Sequence, residues 1–352
     1  MLNWMIYGAN GYSGKLIARE AKSRGLNPIL AGRDSHSITE LAKDLGLQSR
    51  VFDLSDQQNL CTQLADVKLI LNCAGPFSST SQAMINACIQ SRVHYLDITG
   101  EISVFEYAQK QDNSAKAANI ILCPGVGFDV IPTDCLAAQL KQQLADANYL
   151  ALGFDSKSGL SAGTAKTAVE GLALGGRARV NGLIQTVPLA WKTRTIDFGR
   201  GEKLATTIPW GDVSTAFHTT RIPNIEVYIP MSPKRVSMLK RLNYLRWLLG
   251  FKWVQNFLKS RAARQKGPDN EQLQKQLTYV WGEVKNDRGD IKTLRFATAN
   301  GYALTVTGSL AIVEHLLETE INAGYKTPSQ IMGADFITKL PGYSGGINDE
   351  AA

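Results

Sequence analysis

Residues 5–14 read Met-Ile-Tyr-Gly-Ala-Asn-Gly-Tyr-Ser-Gly, an apolar strand that runs directly into three glycines spaced as G-x-x-G-x-x-G. Gly8 allows a sharp turn at the end of the strand, and Gly11 removes the side chain where a pyrophosphate must approach the backbone. Gly14 allows the next helix, expected at 14–24, to pack closely on the sheet with its positive dipole end facing the phosphates. This order of strand, loop and helix predicts a dinucleotide-binding unit.

The end of the second predicted strand indicates which dinucleotide is bound. Residues 28–34 read Pro-Ile-Leu-Ala-Gly-Arg-Asp, and Arg33 follows Gly14 by about twenty residues. A carboxylate near this point would accept hydrogen bonds from the ribose of NAD, whereas an arginine accommodates the 2′-phosphate of NADP. We therefore predict NADP(H). The alternatives are Asp34 as a ribose ligand and Arg33 as an ordinary surface charge.

Length and composition indicate a soluble protein of two domains. The chain has 352 residues, of which 44% are hydrophobic and 20% charged. No apolar run reaches the length of a membrane span, and the first strand begins near Leu2, which leaves no room for a cleavable signal. The five cysteines and four histidines show neither C-x-x-C nor metal-ligand spacing. We expect reduced thiols, a cytoplasmic location and no metal.

Strands and helices alternate in the first 125 residues, as in a doubly wound parallel sheet of the Rossmann type. Strands are expected at 2–7, 27–32, 49–52, 68–72, 93–97 and 119–123, with helices at 14–24, 37–45, 56–65, 79–91 and 103–117.

The pattern changes after residue 125 to that of an α+β domain with a mixed or antiparallel sheet. Strands are expected at 150–156, 187–198, 206–208 and 225–229, a hairpin at 277–285 and 290–298, and helices at 132–145, 163–175, 233–265 and 303–321.

Three loops that follow predicted strands carry the candidate chemistry, because the carboxyl ends of parallel strands hold the ligand. Residues 72–77 (Asn-Cys-Ala-Gly-Pro-Phe) suit a rigid loop against the dinucleotide, with a generic strand-to-helix turn as the alternative. Residues 95–101 (Tyr-Leu-Asp-Ile-Thr-Gly-Glu) and 123–134 are expected near the nicotinamide. Asp129 has apolar neighbours, so its carboxyl is expected to be hydrogen-bonded or to have a raised pKa.

Hydride transfer needs a proton source beside the acceptor, since the reduced substrate otherwise carries negative charge. The candidate catalytic residues are Asp129, Lys166 and Tyr95. Asp129 has the alternative of a structural anchor at the domain junction. Lys166 has the alternatives of a substrate-binding cation and a solvated surface charge.

These motifs as a set resemble the saccharopine dehydrogenase-like oxidoreductases, in particular the branch that includes trans-acting enoyl reductases. Further matching motifs are Ser-Ala-Gly-Thr-Ala at 161–165, Asp-Phe-Gly at 197–199, Ala-Asn-Gly-Tyr at 299–302 and Gly-Tyr-Lys-Thr-Pro at 324–328. The resemblance spans about residues 3–340 and is not specific for substrate.

The resemblance implies an NADP-binding domain at 1–125, a substrate or oligomerisation domain at 126–300 and a helix at 301–340 that returns to the first domain. With the loop spacing, it assigns cofactor binding to Gly8, Asn10, Gly11, Tyr12, Ser13, Gly14, Arg33, Ala74, Gly75 and Pro76.

The net charge of +7 has a local origin. Residues 227–268 contain ten Lys and Arg and no Asp or Glu, which leaves 28 basic and 31 acidic residues elsewhere. Within them, 242–258 interleave tryptophans and phenylalanines with the cations, a pattern typical of helices in a membrane interface. A lid over the substrate, a docking face for an acidic carrier protein and ordinary packing are the alternatives. Nucleic acid binding is not expected.

The sequence thus predicts a cytoplasmic NADP(H)-dependent oxidoreductase that reduces a C=C or C=O bond of a lipid-like or acyl substrate. The alternatives are an imine or amino-acid reductase of the saccharopine type and a membrane-associated NADP-binding scaffold with little turnover. The partners expected are a small-molecule or acyl substrate and a peripheral membrane contact through 233–265. A homodimer is left open.

Overall fold

A computed structural model describes residues 3–156, 169, 171–262 and 276–345. The chain divides into two compact units, Met1–Ile131 with Tyr302–Met332 and Pro132–Gly301 with Gly333–Ala352. The boundary after Ile131 falls six residues beyond the predicted one. Residues 333–340, which were expected to return to the first unit, belong to the second.

The first unit contains a parallel sheet with the order β3-β2-β1-β4-β5-β6-β15. The order 3-2-1-4-5-6 is that of the Rossmann fold, in which the direction of winding reverses between β1 and β4. The strands are β1 Trp4–Tyr7, β2 Ile29–Gly32, β3 Ser49–Val51, β4 Leu69–Asn72, β5 His94–Asp97, β6 Ile121–Cys123 and β15 Gly324–Tyr325.

Helices connect these strands, and the adjacent strands β2, β1 and β4 are buried along their whole length. Strands buried on both faces are nearly continuous apolar runs, which is why the sequence located them well. The helices of this unit are α1 Tyr12–Ser23, α2 Ser35–Leu45, α3 Gln57–Leu64, α4 Phe77–Ser91, α5 Ile102–Lys110, α6 Asp112–Ala118, α11 Gly301–Glu318 and α12 Pro328–Met332.

Two features of this unit differ from the prediction. The helix expected at 103–117 is interrupted at Gln111, which ends α5 and precedes α6. The seventh strand, β15, was not predicted; it lies along β6, with the Gly324 N–H donating to the Ile120 carbonyl oxygen over 2.8 Å. Two residues are too few for a strand pattern to be recognised.

The second unit contains a mixed sheet with the order β10-β11-β12-β7-β13-β14, in which β12 and β7 are parallel and the other neighbours antiparallel. A hairpin of β8 and β9 pairs with β12. The strands are β7 Tyr149–Ser156, β8 Gly176–Val180, β9 Leu183–Val187, β10 Thr193–Asp197, β11 Glu202–Thr207, β12 Asn224–Pro230, β13 Thr278–Lys285 and β14 Ile291–Thr298.

Two helical elements of this unit were not predicted, α8 and the 3-10 helix Ala334–Lys339. The helical elements are α7 Ile131–Gln143, α8 Asp212–Thr220, α9 Pro233–Leu242, the 3-10 helix Asn243–Gly250, α10 Lys252–Ala262 and a second 3-10 helix, Ala334–Lys339.

The prediction of one continuous strand at 187–198 was wrong. β9 ends at Val187 and β10 begins at Thr193, because Pro188 has no N–H for the ladder and Ala190 adopts a positive φ of 52°. Most of the helix expected at 163–175 lies outside the described residues.

The expected fold class, a Rossmann doubly wound sheet followed by an α+β unit with a mixed sheet, is confirmed. None of the helices described is long and apolar enough to cross a membrane.

Candidate functional site: a dinucleotide cradle

The glycine-rich loop lies where the strand order reverses. Gly8 directly follows β1 with a φ of +77°, and a Cβ added there would lie 2.7 Å from the Ala74 nitrogen. The Cys73 N–H donates to the Tyr7 carbonyl oxygen over 2.7 Å, which joins the ends of β1 and β4. Only glycine permits this turn and this close approach, so the loop forms one wall of the ligand crevice of the sheet.

The first turn of α1 carries no side-chain cap. Gly11 is the N-cap residue and makes no side-chain cap, and the first turn contains no acidic residue. A Cβ at Gly14 would lie 2.4 Å from the Gly8 carbonyl oxygen, so a side chain at Gly14 would push the helix away from the loop. An uncapped helix N-terminus with this close approach suits a phosphate anion.

The end of β2 closes the other side of the loop. The Ala31 carbonyl oxygen accepts the N–H groups of Gly8 at 2.7 Å and Ala9 at 3.2 Å. A Cβ at Gly32 would lie 3.3 Å from the Asn10 Oδ1, which places the Asn10 side chain over the end of this strand. The exposed Arg33 follows directly and stands where the 2′-phosphate of NADP would be recognised.

Asp34 has a structural task rather than that of a ribose ligand. Its Oδ1 accepts the Ser37 N–H over 2.9 Å and so caps α2. This hydrogen bond lowers the pKa of the Asp34 carboxyl. The alternative of an acidic ribose ligand at this position therefore loses support.

The buried side-chain amide of Asn72 fixes the backbone of the 73–76 loop. The Asn72 Oδ1 accepts the Ala74 N–H over 3.0 Å, and the Thr80 hydroxyl donates to the Ala74 carbonyl oxygen over 2.7 Å. Ala74 is half-buried, while Gly75 and Pro76 are exposed. The loop thus presents a fixed backbone with small side chains, as the predicted dinucleotide contact requires.

The N-terminus of α4, unlike that of α1, is already occupied by a carboxylate. Glu101 accepts the Phe77 N–H at 2.9 Å and the Ser78 N–H at 2.8 Å. The sequence placed Glu101 near the nicotinamide, but these bonds make it the cap of α4. Of the N-termini of α1 and α4, only that of α1 has no side-chain cap.

A buried carboxyl group joins the loops that follow β5 and β6. The Asp97 Oδ1 accepts the N–H groups of Thr99 at 3.0 Å and Gly125 at 2.9 Å, and its Oδ2 accepts the Tyr95 hydroxyl at 2.6 Å. Burial raises the pKa of Asp97 to about 6, against the effect of these hydrogen bonds. Tyr95 is fully buried in the core, and burial raises its hydroxyl pKa well above the usual value.

Asp129 lies directly over Gly100. A Cβ added at Gly100 would be 2.7 Å from the Asp129 Oδ2, so the glycine makes room for this carboxyl group. Asp129 is half-buried, and desolvation raises its pKa to about 7. Its loop is fixed by the Phe128 N–H, which donates to the Thr305 Oγ1 over 3.0 Å. A carboxyl group with such a pKa can hold and deliver a proton near neutral pH.

The sequence missed the contribution of α11 to the site. Tyr302, one residue into α11, packs edge-on against Tyr12 of the glycine-rich loop, with ring centroids 5.0 Å apart. Together with Thr305, it brings the return segment against both loops of the first unit. A contact across almost three hundred residues leaves no local signal in the sequence.

The three predicted proton donors are thus placed differently. Asp129 stays a candidate, while Tyr95 is a core residue whose hydroxyl is bonded to Asp97. Lys166 lies outside the described residues. In the described ranges, no group of three or more His, Cys, Asp or Glu side chains could hold a metal ion. The five cysteines are free thiols.

Fold and site together define a Rossmann-type dinucleotide-binding protein with a second, mixed-sheet unit. A family model of the saccharopine dehydrogenase NADP binding domain matches residues 4–123. Over 197 residues the chain is 32% identical to a probable mitochondrial saccharopine dehydrogenase-like oxidoreductase of Arabidopsis thaliana. The matched region is 48% of this chain and 42% of that protein.

A trans-acting enoyl reductase of Mycobacterium leprae is 29% identical over 153 residues, 40% of this chain and 36% of that protein. The matches span less than half of these curated relatives. A solved structure, apo saccharopine dehydrogenase (L-Glu forming) from Saccharomyces cerevisiae, superposes with a TM-score of 0.67 over 99% of this chain and 100% of that one. At 10% identity this likeness shows the fold alone.

Residues 4–123 thus match the saccharopine dehydrogenase NADP binding domain, and the chain is similar to saccharopine dehydrogenase-like oxidoreductases and trans-acting enoyl reductases, the proteins that its motifs resemble. NADP is the cofactor of the matched domain, which confirms the predicted cofactor, and the Arabidopsis relative is named as an oxidoreductase. The uncapped start of α1, the glycines beside it and Arg33 fit this dinucleotide.

Proposed function

We propose that this chain is an NADP(H)-dependent oxidoreductase that reduces a C=C or C=O bond of a lipid-like or acyl substrate in the cytoplasm. The observation that carries the proposal is the cradle formed by the uncapped start of α1 and the end of β2, where Arg33 stands. The substrate class is supported by the similarity to a trans-acting enoyl reductase.

The proposed chemistry divides between cofactor and protein. NADPH supplies a hydride when it is bound. The protein holds the dinucleotide through the backbone of the glycine-rich loop and the 73–76 loop, and Arg33 selects the 2′-phosphate. Asp129 donates the proton that the reduced substrate takes up, and its carboxyl group becomes a carboxylate that regains a proton from solvent.

The cofactor part of the proposal is tested at Arg33. Arg33→Ala is expected to weaken NADPH binding by about tenfold to a hundredfold, since a charged hydrogen bond to the phosphate is lost, and to leave NADH binding nearly unchanged. Fluorescence titration with both nucleotides measures this. Arg19→Ala, an exposed arginine on α1, is the matched control. Equal losses for NADPH and NADH would refute the role of Arg33.

The reaction is tested by NADPH consumption with three substrate classes: enoyl thioesters, ketones and imino acids. Turnover of an enoyl thioester or a ketone is the expected result. Turnover of imino acids alone would replace the proposal with a saccharopine-type reductase, and tight NADPH binding without any turnover would replace it with a scaffold.

The proton donor is tested with Asp129→Asn, which should lower kcat while NADPH binding stays intact. Because the donor must be protonated, kcat of reduction in the native protein should fall as the pH rises through about 7. Asp44→Asn, an exposed aspartate on α2, is the control. A variant with unchanged kcat and an unchanged pH profile would exclude Asp129.

A further inference from the structure

Most residues of the basic aromatic segment, 233–258, are exposed, and all but one of the others are half-buried. It spans α9, the 3-10 helix and the described side chains of α10, and Val236 is its one buried residue. Seven of its large apolar side chains are between 45% and 84% exposed: Met238, Tyr244, Leu245, Trp247, Phe251, Trp253 and Phe257. Single exposed apolar residues are ordinary, but seven in 20 residues of sequence mark a surface that is covered by something else.

The charge of this segment has one sign. Six of its cations belong to the described side chains: Lys234, Arg235, Lys240, Arg241, Arg246 and Lys252. None of the six forms an ion pair with an acidic side chain of the described chain. The sequence has no Asp or Glu between 227 and 268, so the segment itself carries no acidic side chain to offset this charge. Its partner must therefore offer negative charge together with apolar volume.

Two hydrogen bonds of Asn243 fix the segment to the second unit, and its tryptophans and phenylalanines stay exposed. The Asn243 Oδ1 accepts the Leu189 N–H over 2.8 Å, and the Asn243 Nδ2 donates to the Leu189 carbonyl oxygen over 3.0 Å. Trp247 and Phe251 meet each other edge-on with centroids 5.8 Å apart. Tryptophan and phenylalanine beside lysine and arginine are the side chains that helices use in a membrane interface.

We infer that the basic aromatic segment docks the protein on an anionic phospholipid surface. The aromatic and aliphatic side chains enter the boundary between headgroups and acyl chains, and the cations lie against the anionic headgroups. A second copy of this chain fits the surface less well, because two such segments would bring like charges together. The inference does not depend on the reaction proposed above.

The test uses the full chain and vesicles of phosphatidylcholine, either alone or mixed with phosphatidylglycerol. We expect co-sedimentation with the anionic vesicles, and weaker binding when salt is raised from about 0.1 M to about 1 M. Trp247 and Trp253 are the most exposed of the six tryptophans, so anionic vesicles should shift the fluorescence to shorter wavelength.

Two variants test separately the apolar and the charged contributions to vesicle binding. Trp247→Ser/Trp253→Ser and Lys240→Gln/Arg241→Gln/Lys252→Gln should each weaken binding to anionic vesicles by about tenfold or more. Their matched controls are Leu183→Ser, for an exposed apolar side chain of the same unit, and Lys285→Gln/Lys292→Gln, for exposed cations. The thermal unfolding temperature, which should be nearly unchanged in all four, shows that each variant is folded.

Several results would overturn the inference. They are no binding to anionic vesicles at low salt, variants that bind as well as the native chain, and binding that is equal on neutral vesicles. Dimerisation that disappears with Trp247→Ser/Trp253→Ser, without vesicle binding, would assign the surface to a second copy. Salt-sensitive association with an acidic carrier protein, without vesicle binding, would assign it to that partner.

Discussion

At the scale of single residues, the glycines of the loop separate folding from cofactor binding. A Cβ at Gly14 would lie 2.4 Å from the Gly8 carbonyl oxygen, whereas a Cβ at Gly11 has one neighbour, at 3.3 Å. Gly14→Ala should therefore destabilise the first unit by about 1–3 kcal/mol. Gly11→Ala should leave stability nearly unchanged but weaken NADPH binding, because its methyl group would point to where the pyrophosphate approaches.

Thermal unfolding and NADPH titration measure the two effects independently. Gly250→Ala, with no atom within 4 Å of the added Cβ, is the matched control and should change neither. If Gly11→Ala and Gly14→Ala lowered stability equally, the separation of the two glycine roles would be wrong.

Asp97 makes the stability of the first unit depend on pH. Burial raises its pKa from 3.8 to about 6, so between these values the folded chain holds a proton that the unfolded chain releases. The stability that Asp97 contributes is therefore fully present below about pH 4. It is lost as the pH rises towards 6, by about 1.4 kcal/mol per pH unit at most. Asp97→Asn cannot ionise, so its stability relative to the native chain should increase from about pH 4 to about pH 7.

Urea unfolding of both proteins at several pH values measures this difference. Asp97→Ala is the contrasting variant, because it leaves the buried N–H groups of Thr99 and Gly125 without their acceptor and should be destabilised at every pH. A stability difference between Asp97→Asn and the native chain that does not vary with pH would contradict the raised pKa.

Some residues of the site could be predicted from sequence and others could not. The glycine spacing depends on backbone geometry, which the sequence expresses directly, so the loop was recognised. Tyr95 was misplaced because a side chain at the end of a strand can face either the crevice or the core, and the pattern does not distinguish them. For Asp34, helix capping and ribose binding require the same residue type, and only the bond to Ser37 decides.

At the scale of elements, the carboxylate of Glu101 determines how α4 begins. It accepts the N–H groups of Phe77 and Ser78, two of the donors that the first turn of a helix leaves unpaired. Glu101→Ala should cost about 1–2 kcal/mol of local stability, since a charged cap is lost at the positive end of the helix dipole. Hydrogen exchange of residues 77–80 measures this, with the exposed Glu40→Ala as control. Unchanged exchange would show that solvent replaces the cap.

Element boundaries were predictable where an apolar run is long and were not where a single residue decides. β13 and β14 agree with the predicted hairpin to within a residue, because two eight-residue strands flank a turn at 286–289 that the sequence Asn-Asp-Arg-Gly favours. Pro188 ended a strand that its flanking apolar residues favoured. β15 is formed by its partner β6 and not by its own two residues, so no local pattern could show it.

At the scale of the whole molecule, the first unit is formed by two segments that are far apart in sequence. The Asp112 Oδ1 accepts the Tyr325 N–H over 2.8 Å, and the Lys326 N–H donates to the Leu122 carbonyl oxygen over 3.0 Å. The amides of β15 are thus bonded within the unit that carries the glycine-rich loop. Segments of one cooperative unit should open together.

NADPH binding should therefore protect both segments equally. A ligand at about a hundred times its Kd stabilises the unit that binds it by about 2.7 kcal/mol, which slows exchange through global opening by about a hundredfold. We expect this slowing at β1, β4 and β6 and also at 324–326, and a smaller change at β13 and β14 of the other unit. Hydrogen exchange with mass spectrometry measures all six regions in one experiment, and the Arg33→Ala variant at the same NADPH concentration is the control. Protection of β1 and β4 without protection of 324–326 would show that the return segment folds separately from the dinucleotide cradle.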